Sequence, residues 1–164
     1  MTTILAQESP DDWWEVEALL DLCFAPGRTA LSSYRLREGV DPVAELCLVA
    51  REDDIVAGAI RVWPVRVADR PVALIGPVAV HPTHQGEGMG GMLIREVLGL
   101  AGLAGWQRLM LVGDAPYYGR FGFRRLDGVL MPPPTNPERV LGVGAWEGIA
   151  GHVLPAREGA GPKE

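Results

Sequence analysis

Cysteine is nearly missing from this chain: Cys23 and Cys47 are the only two. They match no metal-ligand spacing, and each stands among apolar neighbours, which predicts buried free thiols. His81 and His84 lie three apart with no evident third ligand, so no metal site is expected. Basic excess is also absent. Fifteen Lys and Arg against 21 Asp and Glu leave a net charge of −6, which argues against a nucleic-acid binder with its basic face and mildly favours a cationic partner. No apolar run reaches the roughly 18 residues that span a membrane. With no signal peptide at the N-terminus, a reducing, cytoplasmic setting is expected. There is no internal repeat. The expected organisation is one domain over residues 1–155 and a frayed tail over 156–164.

Glycine and proline are plentiful, at 21 and 14 residues, and they separate periodic segments. Ser9-Pro10-Asp11-Asp12 reads as a helix start, and Val16, Leu19, Leu20 and Cys23 follow helical spacing. Pro26-Gly27 ends that helix, and a second covers Ala30–Arg37. Glu45–Arg51 and Ile55–Val62 read as a hairpin around Glu52-Asp53-Asp54. Pro64 and Pro71 flank another extended segment. Val72–Val80 reads as a long strand in which Gly76-Pro77 marks a bulge, bending the strand away from a neighbour. Met89, Met92, Leu93, Val97 and Leu100 give the inner face of a helix. A strand over Leu109–Val112, one or two helical turns over Ala115–Arg120, a strand near Arg124–Met131 and two late strands near Arg139–Val143 and Ile149–Leu154 complete the chain. The order predicts an α/β fold, a mixed sheet with helices on both sides. Of the adjacent rings Trp13 and Trp14, one is expected to pack and the other to be partly exposed.

Four of the six residues from Gly86 to Gly91 are glycine, between the apolar strand and the following helix. Such a loop offers backbone N–H groups at the positive end of a helix dipole, a candidate pyrophosphate cradle. A P-loop needs Gly-Lys-Ser/Thr, and no lysine is near. Gly86, Gly88 and Gly91 match the dinucleotide pattern G-x-G-x-x-G. That fold, however, needs an acidic residue about 20 positions on and more chain than a loop past mid-chain leaves; Arg108 and its neighbours are not acidic. Gln85-Gly86-Glu87-Gly88-Met89-Gly90 also reads as Q-x-x-G-x-G, and Tyr118-Gly119-Arg120-Phe121-Gly122-Phe123 follows one strand later.

These two blocks, in this order, resemble the acetyl-CoA motif and the Tyr-x-x-x-Gly-Phe segment of the GNAT superfamily of N-acetyltransferases. Val43–Leu46, Leu74–Val80 and Val112–Tyr118 further resemble its YhbS-like subgroup, over roughly residues 10–155. The resemblance implies the GNAT fold, with a mostly antiparallel sheet and splayed strands. It implies that the backbone of Val78, Ala79 and Val80 receives the pantetheine arm. Gln85, Gly86, Glu87, Gly88, Met89, Gly90 and Gly91 would then hold the pyrophosphate of acetyl-CoA. It also makes the Val80 N–H an oxyanion donor and Tyr118 the acid that protonates the CoA sulfur, while Tyr117 packs in the core.

Acyl transfer from a thioester needs a neutral amine, and the strand Pro77–Val80 carries no carboxylate. Asp114 and Glu45 are the alternatives for a base, beside a chain of waters. Arg95, Arg120 and Arg124 are candidates for the 3′-phosphate. The implied acceptor is a primary amine on a small molecule or peptide, in a pocket built from about Phe24–Arg37 and Met131–Trp146. A protein that binds acyl-CoA without turnover is the alternative reading. Monomer and homodimer both remain open.

Overall fold

The computed structural model describes residues 3–24, 28 and 32–156. The Pro26-Gly27 helix stop, the start of the second helix at Ala30 and the frayed tail beyond residue 156 lie outside these. Strand β1 (Thr3–Gln7) opens the chain and pairs antiparallel with β2 (Leu48–Glu52). The sequence pattern predicts no element here. Its residues alternate between half-buried and exposed, but their types do not follow, since Thr3 is half-buried and Ile4 exposed, so no period-2 hydrophobic signal marks it; the partner strand, far away in sequence, makes it a strand.

Ser9 and Asp12 form a capping box around a 3₁₀ turn, where the Ser9 N–H donates to the Asp12 carboxylate at 2.8 Å. That turn leads into α1 (Trp13–Cys23), whose buried stripe is Val16, Leu19 and Leu20. Both tryptophan rings at its start are well exposed, Trp13 at 44% and Trp14 at 77%. They stack edge to face, 4.7 Å apart, and turn away from the stripe that the sheet covers. The short α2 (Ser32–Arg35) follows.

The expected hairpin forms from β2 and β3 (Ile55–Val67) with a two-residue turn, Asp53-Asp54, both at positive φ. Strand β2 starts later than expected, because Ala44–Leu46 is a 3₁₀ turn. Strand β3 runs straight through Pro64 and turns at Ala68-Asp69 into β4 (Arg70–Val80). The two-residue loop makes Val67 and Arg70 the hydrogen-bonded pair. Alternation then places Arg66–Pro71 and Pro64–Ala73 at positions without cross-strand hydrogen bonds. Neither proline removes a ladder bond between β3 and β4, so neither ends a strand.

The bulge does lie at Gly76-Pro77. Val62 pairs with Ile75 and Ile60 with Val78, so β4 uses one residue more than β3 there. Helix α3 (Met89–Leu103) follows, then β5 (Arg108–Val112), α4 (Ala115–Gly119), β6 (Arg124–Arg125), β7 (Val129–Leu130), β8 (Val140–Gly144), β9 (Gly151–His152) and β10 (Leu154–Pro155). The strand expected near Arg124–Met131 is two short ones. The main sheet runs β1-β2-β3-β4-β5-β8-β6, with β10 added to β3.

Alternate residues of β2 and β3 serve opposite faces. Val49, Val56 and Ala59 pack with Ala79 under α1. Leu48, Ala50, Ala57 and Ile60 pack under Met89, Leu93, Ile94 and Val97 of α3. The fold is thus a mostly antiparallel mixed sheet with helices on both sides. Its one parallel pairing among the long strands, β4 with β5, spans only Ala73–Leu109 and Leu74–Met110. Beyond Leu74, past the bulge, the two strands part.

Candidate active site

The open edge of β4 follows from this register. The His81 N–H donates to the Ala57 carbonyl of β3 at 2.7 Å. By alternation Ala79 also faces β3, and Val78 and Val80 turn their backbone groups away from it, toward the gap. The Val80 carbonyl accepts from Gln85 Nε2 at 3.1 Å and from Cys23 Sγ at 3.3 Å. Ala79 belongs to the ladder with β3 and to the core under α1, so of the three edge residues expected, two face the gap. Burial pushes the Cys23 and Cys47 thiols up, Cys47 to about 11.

The glycine loop closes one end of the gap. Gly86 and Gly88 sit at φ +87° and +84°, the left-handed region where a Cβ is strained. Gly88 is the N-cap of α3 and has no side chain to bond the first turn. The Met92 N–H donates to the Gly88 carbonyl at 3.0 Å, closing the first turn of the helix. The N–H groups before it therefore have no acceptor inside the helix. A cavity of about 470 Å³ lies over this turn, lined by Val80, Gln85, Gly86, Gly88, Met89, Gly90 and Gly91. The Met89 side chain itself is core. Glu87 points outward and meets His84 Nδ1 at 3.0 Å. Arg95 and Arg120 also line the cavity, stacked on Phe121 and Tyr117 at 4.9 and 4.7 Å. Arg124 lies on β6 instead, paired with Gly142.

Along the same edge a second cavity, about 440 Å³, is lined by Val78 of β4, Leu111 and Val112 of β5, and Tyr118 of α4. Its far walls come from Phe24, Arg28, Tyr34 and Arg37 on one side and Pro134–Asn136 with Arg139 on the other. The two segments expected to build an acceptor pocket thus meet around one space. Tyr118 is wedged among Tyr117, Phe121 and Phe123, and burial holds its phenol above the usual range, with smaller contributions from Tyr117 and Asp114. A Cβ on Gly113 would stand 2.4 Å from the Tyr118 ring, so only glycine leaves that ring its place. Tyr117, expected in the core, lines the loop cavity instead. Consecutive residues of the short α4 point to different sides, and Tyr118 takes the inner one.

Asp114 accepts from the Tyr117 N–H at 3.0 Å and caps α4. It lines neither cavity, and Glu45 is exposed on its 3₁₀ turn, also away from both. The residues that motif reading did not single out are Gly113, Arg37 and Cys23. Gly113 could have been read from its place between a strand end and the Tyr118 turn. Arg37 and Cys23 owe their placement to contacts distant in sequence.

The model of the Acetyltransferase (GNAT) family matches residues 13–123. The chain is 32% identical over 123 residues to the uncharacterized N-acetyltransferase YhbS of Escherichia coli K12, covering 73% of this chain and 72% of that protein. The crystal structure of E. coli YhbS in complex with CoA superposes with a TM-score of 0.78 at 26% identity, over 98% of this chain and 96% of that one. A GNAT family acetyltransferase from Brucella melitensis in complex with acetyl-CoA gives 0.63 at 30% identity, over 88% and 97%. With its fold, its glycine loop at the start of α3 and a family match over most of its length, this chain belongs to the GNAT acetyltransferase family.

Proposed function

We propose that this protein transfers the acetyl group of acetyl-CoA to a primary amine on a small molecule or peptide. One observation carries the reading: the edge of β4 freed beyond Leu74 runs into the unsatisfied first turn of α3. The residues fit the group. Unpaired N–H donors at a helix start suit a pyrophosphate, Arg95 and Arg120 add positive charge beside it, and edge groups of Val78 and Val80 suit an extended amide-bearing arm. Acetyl-CoA, when bound, supplies an acyl group activated as a thioester.

The chain's own residues do the rest. The Val80 N–H, turned to the gap, offers a donor where negative charge develops on a carbonyl oxygen. Tyr118 holds its proton on Oη and can release it to a thiolate, and its raised pKa keeps that proton in place through neutral and mildly alkaline pH. No Asp, Glu or His is among the described residues lining the second cavity, so the amine enters neutral or loses its proton to water. This same observation favours the second reading, an acyl-CoA-binding protein without turnover.

Thermal unfolding with acetyl-CoA, CoA and NAD at millimolar concentration tests the first step. A micromolar ligand stabilises the native state by roughly 4 kcal/mol. The expected result is a shift with both CoA species and none with NAD. In Gly88→Asp, whose carboxylate would enter the cradle, the shift disappears. No shift in wild type overturns the reading. Thiol release on addition of amines separates transferase from sensor.

A further inference from the structure

The cavity proposed to receive the acceptor is positively charged, against the sign of the whole chain. Its charged lining residues are Arg28, Arg37 and Arg139. They differ in what already neutralises them. Arg28 is paired with Glu17 and Asp21, both at 3.0 Å, and also donates to Tyr34 Oη. Arg37 has no carboxylate partner among the described residues. Its Nη2 donates to the Gly76 carbonyl at 3.2 Å and to Ser33 Oγ at 3.5 Å, and its Nε is buried without a hydrogen bond. The guanidinium lies over the Tyr34 ring at 3.8 Å and near that of Trp63 at 5.0 Å. Burial is the largest effect and disfavours its charge; Tyr34 favours that charge, and Arg61 and Arg28, of its own sign, disfavour it further. Arg139 stands across the cavity, exposed, in no ion pair with the described residues, and close enough to Tyr118 to act on its phenol electrostatically.

A largely buried guanidinium held among like charges is costly unless an anion completes it. Among the described residues the chain supplies one to Arg28 and Arg61 and none to Arg37. Arg37 is also tied to the carbonyl of the bulge residue, on the strand edge where transfer would occur. Resting on the acetyltransferase reading, we propose that the acceptor is a compact amine that also carries an anionic group, a carboxylate or a phosphate. Arg37 binds that group from inside the cavity and Arg139 from the mouth. The anion is thereby anchored within a short reach of the β4 edge, so the amine presented there belongs to a small molecule such as an amino acid.

The test is steady-state acetylation of matched pairs at saturating acetyl-CoA. One arm compares free amino acids with their carboxamides, and the other compares 2-aminoethyl phosphate with ethanolamine. The preferred arm identifies the anion. Wild type should favour the anionic member of a pair by about ten- to a hundredfold in kcat/KM, the range of a hydrogen bond to a charged group. Arg37→Met should erase the preference, mostly through KM for the anionic member, and leave the neutral member little changed. Arg139→Gln should weaken it in the same direction. Arg37→Lys keeps the charge without the fork and should retain part of it. If Arg37→Met does not fold, the lysine and Arg139 variants decide.

Thermal shift with acetyl-CoA is read in every sample. No shift in wild type means that the acetyltransferase reading itself has failed. A shift with equal or better use of the neutral members, with no anionic amine acetylated, or with variants that slow both members alike, overturns the acceptor inference alone.

Discussion

Tyr118 carries most of the chemical expectation at the scale of single residues. Its ring is held by three aromatic neighbours and its phenol is pushed up by burial first. Tyr118→Phe keeps that packing and removes only the proton. Turnover should fall by about a hundredfold or more, while calorimetry should find acetyl-CoA affinity within about twofold of wild type. Unchanged turnover would remove Tyr118 as the acid. A raised pKa means that the protonated form persists as pH rises, so the alkaline limb of kcat should begin above pH ~10, the usual tyrosine value, and vanish in the phenylalanine variant. Asp114 is the second residue in question. Its carboxylate caps α4, and Asp114→Asn retains an acceptor oxygen for that bond. Activity should survive in Asn and drop in Ala, where the lost cap costs about 1 kcal/mol. A rate loss in Asn that is largest at low pH would give Asp114 the role of base instead.

At the scale of elements, the bulge in β4 is what opens the site. One extra residue at Gly76-Pro77 turns Val78 and Val80 toward the gap just where pairing with β5 has stopped. The other side of the gap depends on the short link from β5 to α4, where Gly113 makes room for the Tyr118 ring. Gly113→Ala should displace that ring. We expect a loss of about 1–3 kcal/mol from overpacking, seen in denaturant unfolding, and a fall in kcat larger than any change in acetyl-CoA affinity. Equal loss of both would mean that the glycine serves the fold alone.

At the scale of the whole molecule, a chain of ion pairs ties the end of β1 to β3 and α1. Arg61 of β3 binds Glu8 at 2.9 Å and Glu17 at 2.5 Å, and Glu17 binds Arg28. Burial alone would raise the Glu17 carboxyl, but the bonds to Arg61 and Arg28 outweigh it and hold the pKa below the usual glutamate range. The stabilisation is therefore fully present above the unfolded value, about 4.3, and is lost as pH falls through it toward the folded one. The melting temperature should decline between pH 6 and 3, less steeply in Glu17→Gln. Arg61→Met, which strands two acids, should cost about 3 kcal/mol at neutral pH. A pH profile identical in wild type and Glu17→Gln would refute the role of this network.

Much of this is legible in the sequence. The helical start at Ser9, the stripe of α1, the Asp53-Asp54 turn and the bulge at Gly76-Pro77 are set by neighbours along the chain, so local propensity and backbone chemistry determine them. The glycine loop at a helix start and the Tyr118 block were likewise readable, because both consist of contiguous residues whose types are dictated by backbone geometry. What the sequence left open was decided by partners far apart in it. Strand β1 exists because β2 pairs with it. Pro64 and Pro71 are tolerated because the register places them where no cross-strand hydrogen bond is made. Trp13 joins Trp14 at the surface because the sheet covers a different stripe of α1. The charge of the second cavity is the largest such reversal. A net charge of −6 describes the sum over the molecule, whereas a ligand feels the few groups within a Debye length or less. Tertiary structure spends the acids Glu8, Glu17 and Asp21 on Arg61 and Arg28 and, among the described residues, leaves Arg37 at the cavity without one.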